Sequence, residues 1–215
     1  LVKTKIGTVL HTGDWKLDKN PVVGRPYDRQ RLQALRHDDL LAVVCDSTNA
    51  VVPGSTGSEG DLFDPLKAIV EDAEGRVIVT SFASNVARLV TLARVAAATG
   101  RRFGVIGAAM QRMVGVAQSL GYWPDELPAL VPGRDLGYLP RAEILAACTG
   151  SQGEPRSALS RLANDSHRDL GLDPGDTVIF SSRMIPGNEQ PVERLMQRLR
   201  DLRVELVTDQ MHDVH

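Results

Sequence analysis

At 215 residues, with 42% hydrophobic and 24% charged side chains, the chain is long enough for one sizeable core, or a core plus part of a second. The formal net charge of −2 leaves no global footprint for a polyanion, so a nucleic acid would have to be held by a local pocket. No apolar run nears the ~20 residues that cross a bilayer, and Leu1 opens without a basic stretch or an apolar leader, which predicts a cytoplasmic protein with no membrane partner. A start at Leu in place of Met is expected of a piece of a longer protein.

Apolar runs at residues 6–10, 40–45, 76–82, 103–108, 142–148, 177–182 and 204–208 predict strands. Helical periodicity predicts helices near 28–36, 59–72, 85–99, 109–120, 155–165 and 189–202. From residue 76 onward strand and helix alternate, which predicts a doubly wound parallel sheet with flanking helices. The first 50 residues break that rhythm with two strands joined by a Pro/Gly-rich stretch, and are expected to form the edge of a different sheet. The predicted domains are therefore 1–50 and 51–215, with residues 121–140 as an irregular excursion of the second. Cys45 and Cys148 end two apolar runs far apart in sequence and are expected to be reduced, buried thiols.

Chemistry in an open α/β sheet gathers where strands end and helices begin, because backbone N–H groups and helix dipoles point into that crevice. Three loops of similar make-up follow predicted strands: SFASN at 81–85, CTGSQGEP at 148–155 and SSRMIPGNE at 181–189. Ser84 or Asn85 suits the cap of the next helix, and Pro155 suits a first helical turn. Capping alone explains any one loop; three such loops in one crevice favour an anion site.

The amino-terminal strands end in carboxylates instead. The run at 6–10 leads to His11-Thr12-Gly13-Asp14, and the run at 40–45 leads to Asp46-Ser47-Thr48-Asn49. A carboxylate held just past a strand is able to bridge cations or orient a histidine. A tight turn at Gly13-Asp14, and a turn in which Asp46 accepts the Thr48 N–H, account for both residues without chemistry.

Taken in order, HTGDWKLD (11–18), CDSTNAVVPGSTGSE (45–59), TSFASNVARL (80–89), TGSQGEPRSAL (149–159), SSRMIPGNE (181–189) and the final VH (214–215) resemble bacterial ribonuclease J across nearly the whole chain. That family has a metallo-β-lactamase fold carrying a β-CASP insertion. The resemblance implies part of a metallo-β-lactamase sheet over 1–50 and a β-CASP domain over 51–215. It implies a parent protein that hydrolyses single-stranded RNA, by endonucleolytic cleavage, 5′-to-3′ exonucleolytic trimming or both, with two Zn²⁺ per active site. It also implies a homo-oligomer in the parent.

Residue by residue, Asp14 matches the aspartate that bridges the two zinc ions, and Asp46 the acidic residue that orients a functional histidine missing from this chain. Ala83, Ser84 and Asn85 match a segment that contacts a substrate nucleotide. His215 matches the first residue of an HVSGH segment that binds RNA phosphate. No role passes to TGSQGEP or SSRMIPGNE, although both are expected to shape the RNA channel.

The departures are equally specific. The chain has no HxHxDH cluster, and of its five histidines, His11, His37, His167, His212 and His215, only His212 and His215 fall near a ligand spacing. His37 and His167 read as solvated, and His11 as a packing or supporting residue beside Asp14. The chain is accordingly expected to be a substrate-binding fragment that neither holds two zincs nor cleaves RNA. A non-catalytic RNA- or nucleotide-binding module and a metallo-β-lactamase-fold hydrolase of another substrate are the competing readings. Nucleotide binding dependent on Asn85 would favour the first, and the β-CASP-like strings disfavour the second.

Overall fold

The computed structural model describes residues 1–38, 40–48, 50–51, 53–54 and 56–215; Asn49, Val52 and Ser55 of the string at 45–59 lie outside the described residues. Two compact units, Leu1–Ser58 and Glu59–His215, make up the chain.

Among the described residues the first unit is built on three strands, β1 (Val2–Thr4), β2 (Gly7–His11) and β3 (Leu40–Val44), in that order, with the helix α1 (Arg29–Ala34) and a 3-10 turn over Leu35–His37 on the way from β2 to β3. β1 and β2 form an antiparallel hairpin with Val2 opposite Val9. The Thr4 hydroxyl pins its turn by donating to the Gly7 carbonyl at 2.8 Å. Gly7 is required there: its φ is +144°, and a Cβ would lie 2.5 Å from a Leu41 side-chain carbon. β1 was not predicted, because three exposed residues, Val-Lys-Thr, carry no periodic signal. β2 and β3 run parallel, with His11 opposite Val44. Asp28 caps α1 by accepting the Arg31 N–H at 2.8 Å. Leu35 is the sole buried apolar residue among those described in this unit. Cys45, at the end of β3, is exposed rather than buried, since β3 is open along most of its length.

The second unit holds α2 (Phe63–Asp72), β4 (Val77–Thr80), α3 (Val86–Thr99), β5 (Arg102–Ile106), α4 (Ala108–Ser119), β6 (Ile144–Cys148), α5 (Ala158–Ala163), β7 (Thr177–Phe180), α6 (Glu189–Asp201) and β8 (Glu205–Val207). Five strands form one parallel sheet in the order β5-β6-β4-β7-β8. This is the α/β architecture expected from the strand and helix alternation. Every residue of β4, β6 and β7 is buried, as central parallel strands with both faces covered require.

Strand alternation divides the core into two layers. On one side Ile78, Ala146, Cys148, Val178 and Phe180 pack in a cluster with Leu159 and Leu162 of α5 and with Val192, Leu195 and Leu199 of α6. The α6 spacing of 192, 195 and 199 puts three apolar residues on one helical face, each contributing ~2 kcal/mol on burial. On the other side lie the alternate strand residues and α3. α3 is buried over much of its circumference because Leu66 and Val70 of α2 are buried as well.

Two predicted helices shorten at their starts. The first turn of 59–72 is a 3-10 turn over Glu59–Leu62. α5 begins at Ala158, not 155, because the Ser157 hydroxyl accepts the Ser160 N–H at 3.2 Å and sets the cap there. Within the irregular excursion, Gly133–Tyr138 form a 3-10 turn whose Leu136 is buried. Cys148 is buried as expected, and desolvation pushes its thiol up to about 12.

At the amino ends of the strands Asp176, with a side chain 0% exposed, gathers five donors. Its Oδ1 accepts from the Arg76 N–H (2.9 Å) and from Arg141 Nε (3.1 Å) and Nη2 (2.8 Å). Its Oδ2 accepts from Arg76 Nη1 (3.0 Å) and the Asp173 N–H (2.9 Å). Asp176→Ala leaves these donors without their acceptor, and is expected to cost about 3 kcal/mol in a urea titration without altering the loops at the opposite ends of the strands.

Candidate functional site

In the central strands, Thr80 of β4 is level with Cys148 of β6 and with Phe180 of β7. The ladder continues past the strand ends: the Ser81 N–H donates to the Cys148 carbonyl (3.2 Å) and the Ser181 N–H to the Thr80 carbonyl (2.9 Å). The loops that follow β4, β6 and β7 therefore leave the sheet side by side. β4 sends its connection one way, across β6 to β5, whereas its other neighbour β7 sends its own the opposite way, to β8. That reversal opens a crevice at the carboxyl ends of the strands, the position where open α/β sheets bind ligands.

The loop after β4 carries Ala83 and Asn85, both half-buried, and Ser84, which is exposed. Asn85 supplies the helix cap: its Oδ1 accepts the Arg88 N–H at 3.1 Å. The cap engages the amide oxygen, and the amide nitrogen takes no part in it. Ser81 is buried, and its Oγ has no hydrogen-bond partner among the described residues.

The loop after β6 is fastened to the loop after β7 by Gln152, which is buried. Its Nε2 donates to the Arg183 carbonyl at 2.9 Å; its Oε1 accepts from the Ile185 N–H at 2.8 Å and from Asn188 Nδ2 at 3.2 Å. Gly153, at φ +75°, lets this loop lie against the start of α6, where a Cβ would be 2.5 Å from the Pro191 carbonyl carbon. Glu189 closes the second loop by accepting the Gly187 N–H at 2.9 and 3.0 Å, a contact that holds its carboxyl below the usual range.

Sequence reasoning assigned no part to Arg88, yet this side chain is only 1% exposed and ties three segments together. Its Nε and Nη2 grip both carboxylate oxygens of Glu59, the second at 3.2 Å. Its Nη1 donates to the Ser181 carbonyl at 2.7 Å, to the Ser181 hydroxyl, and to the Val214 carbonyl at 3.1 Å. Ser181 Oγ also donates to the Val214 carbonyl, at 2.6 Å. Val214 is fully buried, and His215 beside it is exposed. Partial desolvation, followed by the charges of Arg88 and Arg183, holds the His215 imidazole below its ordinary pKa; Glu59 and Asp209 oppose them. The one sequence signal for Arg88 was an arginine at an otherwise apolar position of a helix.

Among the sequence-predicted residues, Asn85 and His215 are thus linked through Arg88, by its N–H at one end and its guanidinium at the other. Asp14 and Asp46 belong to the first unit. They follow the paired ends of β2 and β3, and the Trp15 indole N–H donates to the Asp46 carbonyl at 3.1 Å. Asp14 is exposed, and His11 Nδ1 accepts the Gly13 N–H at 3.1 Å. Asp46 forms the local turn: its Oδ1 accepts from the Thr48 hydroxyl at 2.6 Å and from the Thr48 N–H at 3.0 Å. Those two bonds, the hydroxyl first, lower the Asp46 pKa. Among the described residues no group of three or more His, Cys, Asp or Glu side chains could hold a metal ion. His167 is half-buried rather than fully solvated; its Nδ1 accepts the Asp169 N–H at 3.3 Å, and desolvation lowers its pKa.

The fold and crevice define an α/β domain of the β-CASP type: residues 74–199 match the family model described as Ribonuclease J, beta-CASP domain. Ribonuclease J of Sinorhizobium meliloti is 41% identical over 215 residues, covering 100% of this chain and 38% of that protein. Ribonuclease J 1 of Streptococcus pyogenes is 40% identical over 215 residues, with 100% and 38% covered. Ribonuclease J of Thermus thermophilus is 38% identical over 217 residues, with 100% and 37% covered. The chain belongs to the ribonuclease J family, and it spans about 38% of the length of these curated relatives. Among the described residues no helix is long and apolar enough to cross a membrane.

Two outcomes check this geometry. Gln152→Leu keeps the size of the side chain but loses its bonds to the loop after β7. It is expected to cost about 2 kcal/mol and to speed amide exchange at Ile185, leaving β4 protected. Thr48→Val removes the hydroxyl bond, so the Asp46 carboxyl is expected to titrate nearer the ordinary aspartate value by NMR. Because the folded pKa is depressed, the turn is stabilised above the unfolded pKa and released as pH falls through the folded one.

Proposed function

We propose that this chain is the substrate-binding part of a metal-dependent ribonuclease. The observation that carries the reading is the coincidence of the family match with a crevice where two candidate RNA-contacting segments, 83–85 and 214–215, are bound to one buried arginine. Single-stranded RNA is the proposed ligand. A strand of RNA offers phosphate oxygens to the donors of this crevice and base edges to amides such as Asn85. With a net charge of −2, the chain holds no polyanion by bulk attraction, which makes these local donors the source of affinity.

Asp14, exposed on its turn, is proposed as one carboxylate ligand of a zinc centre in the whole protein, and Asp46 as the group that orients a histidine. The 215 residues alone bind RNA and do not cleave it. The proposed parent is a homo-oligomer.

In the full-length protein, Asp14→Ala is expected to reduce zinc-dependent cleavage of single-stranded RNA at least about a hundredfold. Asn85→Asp keeps an oxygen for the α3 cap but places a negative charge beside the RNA backbone. It is expected to weaken RNA binding about tenfold by fluorescence anisotropy, with folding intact by circular dichroism. Cleavage unaffected by Asp14→Ala overturns the metal assignment; binding unaffected by Asn85→Asp overturns the RNA site.

A further inference from the structure

Arg88 is the largest fully buried side chain among the described residues and carries a charge. A guanidinium removed from water must find an anion and enough acceptors, or the unit loses several kcal/mol. One anion, Glu59, answers its charge from the 3-10 turn before α2. Its Nη1 is spent on Ser181 and on one backbone carbonyl, that of Val214.

The Val214 carbonyl and the His215 N–H belong to one planar trans peptide, in which C=O and N–H point in opposite directions. Two donors, Ser181 Oγ at 2.6 Å and Arg88 Nη1 at 3.1 Å, fix the carbonyl. They thereby fix the direction of the His215 N–H, away from the buried arginine, and the starting point of its side chain. The same residue fixes Asn85, whose Oδ1 accepts the Arg88 N–H at 3.1 Å. Arg88 sits in the first turn of α3, a rigid fourteen-residue helix, so both attachments share one frame.

We infer that Arg88, with Glu59 and Ser181, is a positioning residue that holds His215 and Asn85 in register for neighbouring groups of one RNA strand, without itself touching RNA. The inference rests on the proposed RNA site, and it names a device that site requires. The SSRMIPGNE loop gains a definite task from it: Ser181 is the relay between the core and the segment carrying His215.

The test uses the full-length protein and a short single-stranded RNA. Ser181→Ala removes only the hydroxyl, and is expected to raise KM about fivefold with kcat within about twofold, because binding geometry and not chemistry is disturbed. Arg88→Lys keeps the charge but cannot reach Glu59 and Val214 together; a rise of about tenfold or more in KM is expected. Both variants should also speed hydrogen exchange over residues 212–215. Asp176→Asn, in the network at the opposite ends of the strands, serves as the control that lowers stability and leaves KM unchanged. Unchanged KM in both site variants, or a loss of activity matching that of Asp176→Asn at equal stability, overturns the inference. If the wild-type protein neither binds nor cleaves RNA, the functional reading fails and the positioning role falls with it. Exchange unchanged at 212–215 in both variants overturns the docking itself, whatever the activity.

Discussion

A cation buried in the first turn of α3 sets the terms for the carboxyl-end crevice. Arg88 is tolerable there only because Glu59 neutralises it and because Ser181 and Val214 supply oxygen acceptors. Each of those partners comes from a different part of the chain: the turn before α2, the loop after β7, and the segment at 214. The need to satisfy one guanidinium therefore draws in partners up to 126 residues away from it along the chain. An apolar residue at this position would pack as well and would fasten none of them.

The sheet supplies the platform on which that clustering works. With β6, β4 and β7 adjacent and level at their carboxyl ends, three loops emerge together, and backbone bonds from Ser81 and Ser181 hold the first residues of two of them. Gln152 then does for the loops after β6 and β7 what Arg88 does for the segments at 85 and 214: it replaces water with a fixed set of partners. At the other ends of the strands Asp176 plays the mirrored part, an anion satisfied by arginines. One end of the sheet is thus closed by a buried network, and at the other the loops are tied to one another by Gln152 and Arg88.

The first unit follows a different logic. Its sheet places Asp14 and Asp46 just beyond the paired ends of β2 and β3, with Trp15 bridging the two turns. Here the local explanation for Asp46, a turn closed by Thr48, is what the structure contains. A carboxylate with one oxygen committed to such a turn is rigid and held in its charged form, which also suits a residue whose proposed task is to orient another.

Much of this was legible in the chain. Buried parallel strands write themselves as short apolar runs, and helices as periodic ones, so β4 to β8 and α2 to α6 were all anticipated, with errors of a few residues at their ends. The errors have causes: Ser157 rather than Pro155 sets the start of α5, and β1 is too short and too exposed to signal itself. The three similar loops were readable as loops of one crevice because strand ends in a parallel sheet fall on one side. What only the tertiary structure decided was which distant groups meet. Arg88 looks in sequence like one polar break in an apolar helix, and Gln152 like a loop residue. Their roles depend on strand order and register, which bring Ser181, Val214 and Arg183 within hydrogen-bonding distance, and no local pattern encodes a contact across a hundred residues. The sequence determined the elements and the residue types at their ends; the packing of a buried charge determined how those ends become one site.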